Sequence, residues 1–391
     1  MTYPYVELKN VSEFINGFAF KPAHWEESGK PIIRIQNLTN SSKPFNRTSF
    51  EVDEKYFVSP GDILVSWSAT LDVFEWQSED ALLNQHIFKV VPDYKIIDKN
   101  YFKYALKEAI SSMMKFTRGS TMKHINRGDF LATKIPLPPL ETQKQIAQVL
   151  AAADQLRKDC QQVEQELNAL AQSVFLEMFG DPVTNLKGWK KNNLGGFIKI
   201  KHGYAFKGEY FASEGDYVLL TPGNFLENGG YRSQGIKQKF YLGDFPDEYM
   251  LDKGDLLVAM TEQAAGLLGS PLFSPSDGTF LHNQRLGLVQ TVKPINKQFL
   301  FGLFNTSSIR QQIHFKAVGT KVRHTSPTKI EELNVGIPPI NLQNKFSSFI
   351  EKLEQQKQHN KEKSQQLDDL FNALLQKAFK GELNLKSIER A

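Results

Sequence analysis

Cysteine is almost missing from this chain, with one thiol, Cys160, in 391 residues. That excludes an internal disulfide framework and any cysteine-based zinc site, each of which needs about two to four thiolates, and it agrees with a reducing compartment. Long apolar runs are missing too. No stretch approaches the roughly 18 residues of a membrane span, and the opening MTYPYVELKN has no charged-then-apolar leader, so the expectation is a soluble, cytosolic chain with no membrane contact. Charge of one sign is scarce, with 47 basic against 43 acidic residues and a net charge of +4, so the bulk charge does not select a partner. Apolar residues are plentiful. At 40% hydrophobic and 12% aromatic, the chain has enough surface to bury for compact folding. At about 100 to 200 residues per domain, its length implies two or three units.

Reacting groups are scarce as well. No phosphate-binding loop exists, because the only Gly-Lys, Gly29-Lys30, is followed by Pro31. There is no nucleophile elbow, and no Asn/Asp-Pro-Pro-aromatic tetrad of the sort that holds a target amine for methyl transfer. The eight histidines are scattered, and none pairs with a second at helical metal-site spacing. The chain is therefore read as non-catalytic, with no catalytic residue, no metal ligand and no cofactor.

What the sequence does have is a copy of itself. Gly17-Phe18-Ala19-Phe20-Lys21 recurs as Gly203-Tyr204-Ala205-Phe206-Lys207, and Gly61-Asp62-Ile63-Leu64-Val65 as Gly254-Asp255-Leu256-Leu257-Val258. Asn84-Gln85 returns as Asn283-Gln284, Gly119-Ser120-Thr121 as Gly319-Thr320-Lys321, and Pro138-Pro139-Leu140 as Pro338-Pro339-Ile340. Five pairs in unchanged order, with an offset that settles at 200, make an internal duplication with extra loop residues early in the second copy.

Each copy opens with strand-like apolar runs, such as Ile32-Ile33-Arg34-Ile35, Ile63-Leu64-Val65 and Ile87-Phe88-Lys89-Val90-Val91, broken by Gly, Pro and Asn, plus a helical stretch near 99 to 115. This is a mixed α/β (α+β) domain. Each copy closes with a long helix. The first is expected over about 142 to 179, from a Thr142–Gln145 capping box to a Gly180–Pro182 stop. Heptad spacing places Ile146, Val149, Ala153, Leu156, Cys160, Val163, Leu167, Leu170 and Val174 on one apolar seam, which makes Cys160 a packing residue. The second helix repeats the seam with a polar centre at Gln356, Asn360 and Lys363. A helix of about 36 residues is about 54 Å long and needs a partner of equal length. Short connections favour pairing the two antiparallel, as a coiled coil joining two similar domains in a pseudo-two-fold dumbbell. The expected boundaries are 1–140 and 181–340 for the domains, 141–180 and 341–383 for the helices, and 384–391 for a tail.

Two basic loops stand at equivalent places. Residues 115 to 134 hold five basic side chains and one acid, and residues 315 to 329 hold four basic side chains and no acid. Glycine and hydroxyl residues lie among them, so backbone N–H groups can approach phosphates while hydroxyls donate. The candidate DNA-binding set is Arg118, Ser120, Thr121, Lys123, His124 and Arg127 in the first copy, and Thr320, Lys321, Arg323 and His324 in the second. Lys21 and Lys207 join it, whereas Phe18, Phe20, Tyr204 and Phe206 are read as core.

With these motifs in order, nearly the whole chain resembles the specificity subunit of a Type I restriction-modification system. The resemblance rests on Gly-x-Ala-Phe at 17–20 and 203–206, on Gly-Ser/Thr, and on Ile-Pro-Leu-Pro-Pro-Leu-Glu-Thr-Gln at 135–143 before the long helix. The second copy departs from the last motif, with Ile337-Pro338-Pro339-Ile340-Asn341-Leu342-Gln343. The resemblance implies two target-recognition domains that read a split double-stranded DNA sequence. It also implies assembly with two modification (methyltransferase) subunits, which methylate adenine, and with ATP-dependent restriction subunits. Because the two domains differ outside their anchors, the half-sites should differ too. Two alternatives stand beside this reading: a nucleic-acid enzyme without a recognised motif, and a dumbbell coiled-coil adaptor for proteins or glycans.

Overall fold

The computed structural model describes residues 3–40, 42–68, 70–116, 126–262, 266–319 and 321–385. The chain divides into two compact units, residues 1–161 with 362–391, and residues 162–361. The mixed α/β class read from the sequence is the one observed.

In the first unit an antiparallel sheet has the order Ser12–Asn16, Ile87–Pro92, Ile63–Ser66, Asp72–Glu75. Its alternating apolar face (Phe14, Ile63, Val65, Phe88, Val90) packs under the helix Lys99–Phe116, against Tyr101, Phe102 and Ala105. A second sheet runs Asn46–Thr48, Lys30–Ile33, Ala81–Leu83, Phe57–Val58, with the middle pair parallel. The run 32–35, expected as strand, ends instead at Ile33. Asn37 Oδ1 accepts the Arg34 N–H at 3.1 Å and starts a short helix, Ile35–Thr39, a local competition that an apolar run does not reveal.

The second unit repeats this plan. Its four-stranded sheet is Ile198–His202, Leu286–Thr291, Leu256–Ala259, Pro271–Phe273, and its other sheet has five short strands around the parallel pair Tyr217–Leu219 and Phe280–Leu281. Where the first unit has the helix Lys99–Phe116, the second has Lys297–Phe304 and Ser307–Lys316, broken at Asn305-Thr306.

The long helices are Leu140–Phe179 and Ile340–Lys380. The first begins two residues before the expected Thr142, because Pro138-Pro139 and a buried glutamine set the start rather than a Thr142–Gln145 box. Gln143 is fully buried; its Oε1 accepts the Asp98 N–H at 2.7 Å and its Nε2 donates to Pro138 O at 2.8 Å. Gln343 does the same in the second unit, accepting from Asn296 N at 2.9 Å and donating to Pro338 O at 2.8 Å. The second copy's altered motif keeps the one side chain that the junction needs.

Each unit holds half of each long helix. In the first, Ile146, Leu150 and Ala153 share a core with Phe371, Leu375 and Phe379, and Arg157 Nε donates to Asp368 at 2.6 Å. In the second, Phe175 and Phe179 pack on Phe346 at 5.6 and 5.4 Å between ring centres, with Ile350 and Leu353 in the same cluster. The expected seam holds only in part. Ile146, Ala153 and Cys160 are buried, but Leu156, Val163 and Leu170 are 49%, 40% and 41% exposed. The helix ends also face the globular cores, at Tyr101, Tyr104 and Phe299. A face set by 3.6 residues per turn drifts away from a strict seven-residue seam.

Candidate nucleic-acid interface

The repeated motifs meet in space. Gly17 crosses directly beneath Asn84: a Cβ built on it would lie 2.1 Å from Asn84 O, so no other residue fits without moving backbone. Gly203 stands in the same relation to Asn283 O, also at 2.1 Å. From the crossing, Phe18 N donates to Leu83 O at 2.8 Å and Gln85 N to Phe18 O at 2.9 Å. Tyr204 N to His282 O and Gln284 N to Tyr204 O, each 2.9 Å, copy the pattern. Phe20 and Phe206 fill the core beneath, while Phe18 and Tyr204 are half-buried, in line with their reading as core. In the second unit the buried His282 donates its Nε2–H to Leu286 O, 3.0 Å away, and burial pushes its imidazole down to about 4. It is a neutral packing group behind Asn283.

A basic segment adjoins the second crossing, and among the described residues of the first basic segment Arg127 lies against the same sheet as the first crossing. In the second unit Met260 is the link: its N–H donates to Arg285 O at 3.0 Å, and its carbonyl accepts from Thr325 N at 2.9 Å. The neighbouring residues extend this contact into a ladder, Thr261–Glu262 against Arg323–His324. Val318 and His324 exchange both backbone hydrogen bonds, and between them Gly319 takes φ +105°. Behind the ladder, the buried Glu262 carboxylate accepts the N–H groups of Gly266, Leu267 and Leu268 at 2.9–3.1 Å. Arg310, lowered to about 10 by burial, donates to Leu268 O, Glu227 O and Gly266 O. In the first unit Trp67 is the counterpart of Met260. Its N–H donates to His86 O at 3.2 Å and its indole stacks on Phe88 at 5.8 Å, whose ring lies 5.8 Å from the Arg127 guanidinium.

Of the residues expected from the sequence, Arg118, Ser120, Thr121, Lys123, His124 and Thr320 lie outside the described residues. Arg127 donates to Phe14 O at 3.3 Å. Lys321 is exposed, Arg323 is half-buried, and His324 is exposed with Nδ1 3.2 Å from Thr261 Oγ1. Lys21 and Lys207 are both exposed and each precedes a short 3-10 turn, Pro22–His24 and Gly208–Tyr210. Arg34, His86, Thr221 and Arg285 were missed. The recurrence of Asn84-Gln85 as Asn283-Gln284, followed each time by a side chain that can carry positive charge, was the available signal. Beside the first crossing a cleft of about 200 Å³ is lined by Trp25, Arg34, Asn84, Gln85 and His86 among others.

A duplicated α/β domain, each copy followed by a long helix and each carrying a glycine-crossed turn, defines a two-headed recognition protein. The chain belongs to the family described as Type I restriction modification DNA specificity domain, whose model matches residues 2–169 and 186–369. It is similar to the Type I restriction enzyme MjaVIII specificity subunit of Methanocaldococcus jannaschii, at 22% identity over 92% of this chain and 90% of that one. It is also similar to the EcoBI specificity subunit of Escherichia coli, at 32% identity over 44% of this chain and 37% of the relative. Among solved structures, the S subunit of the M. genitalium Type I restriction-modification system covers 97% of this chain and 96% of its own, with a TM-score of 0.50 at 15% identity. A chain from a structure concerning complex assembly and conformational transition of the type I R-M system covers 98% of both chains, with a TM-score of 0.57 at 15% identity. Among the described residues no helix is long and apolar enough to cross a membrane.

Proposed function

We propose that this chain is the DNA-recognition subunit of a Type I restriction-modification complex. It performs no chemistry. It reads a split, asymmetric double-stranded target, one half-site per domain, and directs adenine methylation by two modification subunits and cleavage by ATP-dependent restriction subunits. Residues 1–140 and 181–340 are the two recognition domains, 141–180 and 341–383 the spacer helices, and 384–391 a tail. Work on cellular DNA places the chain in the cytoplasm. Phosphate contact falls to the basic segments, through Arg118, Lys123, Arg127, Lys321 and Arg323 with the hydroxyls of Ser120, Thr121 and Thr320. Lys21, Lys207, His124 and His324 flank them.

The observation that carries this reading is the building of one backbone frame twice, from motifs far apart in the chain, with the basic segment of the second unit laddered beside its frame. Membership in the specificity family speaks against an adaptor for proteins or glycans. The test is selection from a DNA library with randomised half-sites and a variable gap, using the full chain with its modification subunits. An enriched, two-part, non-palindromic sequence is expected, bound more weakly as salt rises because phosphate contacts release counterions. Binding that is indifferent to sequence and to salt would sink the reading.

A further inference from the structure

The two frames share a backbone but not their hydrogen-bonding groups. Arg34 and Thr221 are equivalent: the N–H of each donates to the side-chain oxygen of an asparagine three residues on, Asn37 at 3.1 Å and Asn224 at 3.0 Å, just after the parallel strand of its sheet. His86 and Arg285 are equivalent by their carbonyls, which accept from Trp67 N and Met260 N. Each follows the Asn-Gln pair that crosses the glycine. In the first unit, then, the frame carries a guanidinium and an imidazole. In the second it carries a hydroxyl and a guanidinium, with the places exchanged.

The detail sharpens the contrast. Arg34 lies 5.6 Å over the Trp25 ring, and Nη1 donates to Asn46 Oδ1 at 3.2 Å, which fixes the plane of the group while using one of its five N–H donors. That plane lines the cleft with Gln85 and His86. Thr221, by contrast, is held in an amide cluster: Gln234 Nε2 donates to its Oγ1 at 2.9 Å and to Asn224 Oδ1 at 3.0 Å. His86 adopts φ +74°, whereas Arg285 stays out of that region, so the backbone at the two positions differs. In the first frame Asn84 Oδ1 and His86 Nδ1 are buried without a hydrogen-bond partner; in the second Asn283 Oδ1 accepts the Arg285 N–H at 3.0 Å, and the unpaired buried atoms are instead His282 Nδ1 behind it and Thr325 Oγ1. Unpaired buried polar atoms are uncommon, and each calls for an explanation.

We propose that these two frames are the base-reading sites of the protein, and that the exchange of Arg34 and His86 for Thr221 and Arg285 is what makes its two half-sites differ. The inference rests on the DNA-recognition reading and extends it to named positions. A planar guanidinium matches the two acceptors on the major-groove edge of guanine, whereas hydroxyl and amide groups at that place do not discriminate for guanine. The first domain therefore reads a guanine through Arg34. In the second domain the guanidinium has moved to residue 285, so the order of bases read is shifted and the target is not a palindrome.

The test is library selection by the full chain with its modification subunits, comparing wild type, Arg34→Thr and Arg285→His. Arg34→Thr should lower the preference for guanine at one or two positions of one half-site by about tenfold or more, and should leave the other half-site within about twofold. Arg285→His should do the converse. Should Arg34→Thr disturb folding, as a loss of hydrogen-exchange protection at residues 30–33 and 81–83 would show, Gln85→Ala takes its place in the first cleft. Unchanged preferences in both half-sites overturn the inference. So does an equal loss on every sequence with a smaller salt slope, the mark of a phosphate contact. A wild-type complex that enriches no sequence refutes the DNA reading itself, whereas an intact wild-type target with indifferent variants refutes only the base-reading assignment.

Discussion

Gly17 lies against the carbonyl of Asn84, with room for a hydrogen and none for a methyl group; a Cβ would stand 2.1 Å from the oxygen. The contact is with backbone, which cannot swing aside as a flexible side chain can. Gly17→Ala should therefore destabilise the first unit by about 1–3 kcal/mol, the range of forced overpacking. Hydrogen exchange is the measurement: amides of 12–16 and 87–92 should lose protection while those of 198–202 and 286–291 keep theirs. Equal protection everywhere would mean that the crossing relaxes at no cost.

Gln143 is the second local test. Its amide satisfies one N–H and two carbonyls where the long helix meets the domain, at Asp98, Ile96 and Pro138. Gln143→Leu keeps the bulk and orphans these buried groups, at about 1–3 kcal/mol for each one left unpaired. The urea midpoint of the first unit should fall, and Gln343→Leu should do the same to the second. A midpoint unmoved in both variants would show that water replaces the amide.

Acid should weaken the second unit through His282. Burial holds its imidazole at about 4, against 6.5 for an ordinary histidine. The unfolded chain binds this proton near pH 6.5 and the folded chain only near 4, so protonation favours unfolding. The contribution is complete above about pH 6.5 and is lost as pH falls towards 4, on the order of 3 kcal/mol in all. Denaturation of wild type and His282→Gln between pH 7.5 and 4.5 checks it. The variant is expected to be weaker at neutral pH, yet flatter with pH; parallel pH curves would exclude this residue as the cause.

Lys321 provides the test of the basic segment. It is exposed, between the hydrogen-bonded Val318 and His324. Lys321→Ala should weaken DNA binding alike on all sequences and reduce the slope of log affinity against log salt by about one. An unchanged slope would make the loop an ordinary solvated surface.

The sequence by itself determined the duplication, the mixed α/β class and the two long helices. Those properties are local: repeated glycine and proline turns, alternating strands and 3,4-spaced apolar residues leave their mark on neighbours along the chain. It also marked Gly17, Asn84 and Pro138-Pro139 as recurrent, without saying why. Only the tertiary structure decided that the Gly17 and Asn84 motifs touch, that Gln143 reaches back to Asp98, and that Arg34 and His86 border one cleft. Those relations depend on how strands distant in sequence register in a sheet, as Ile32 does beside Leu82. Periodicity along one strand carries no information on its neighbour. For the same reason the apolar seam of the long helix was only partly legible. Which side of Leu156, Val163 and Leu170 meets protein depends on the cores at the helix ends, and these turn the buried face away from the heptad.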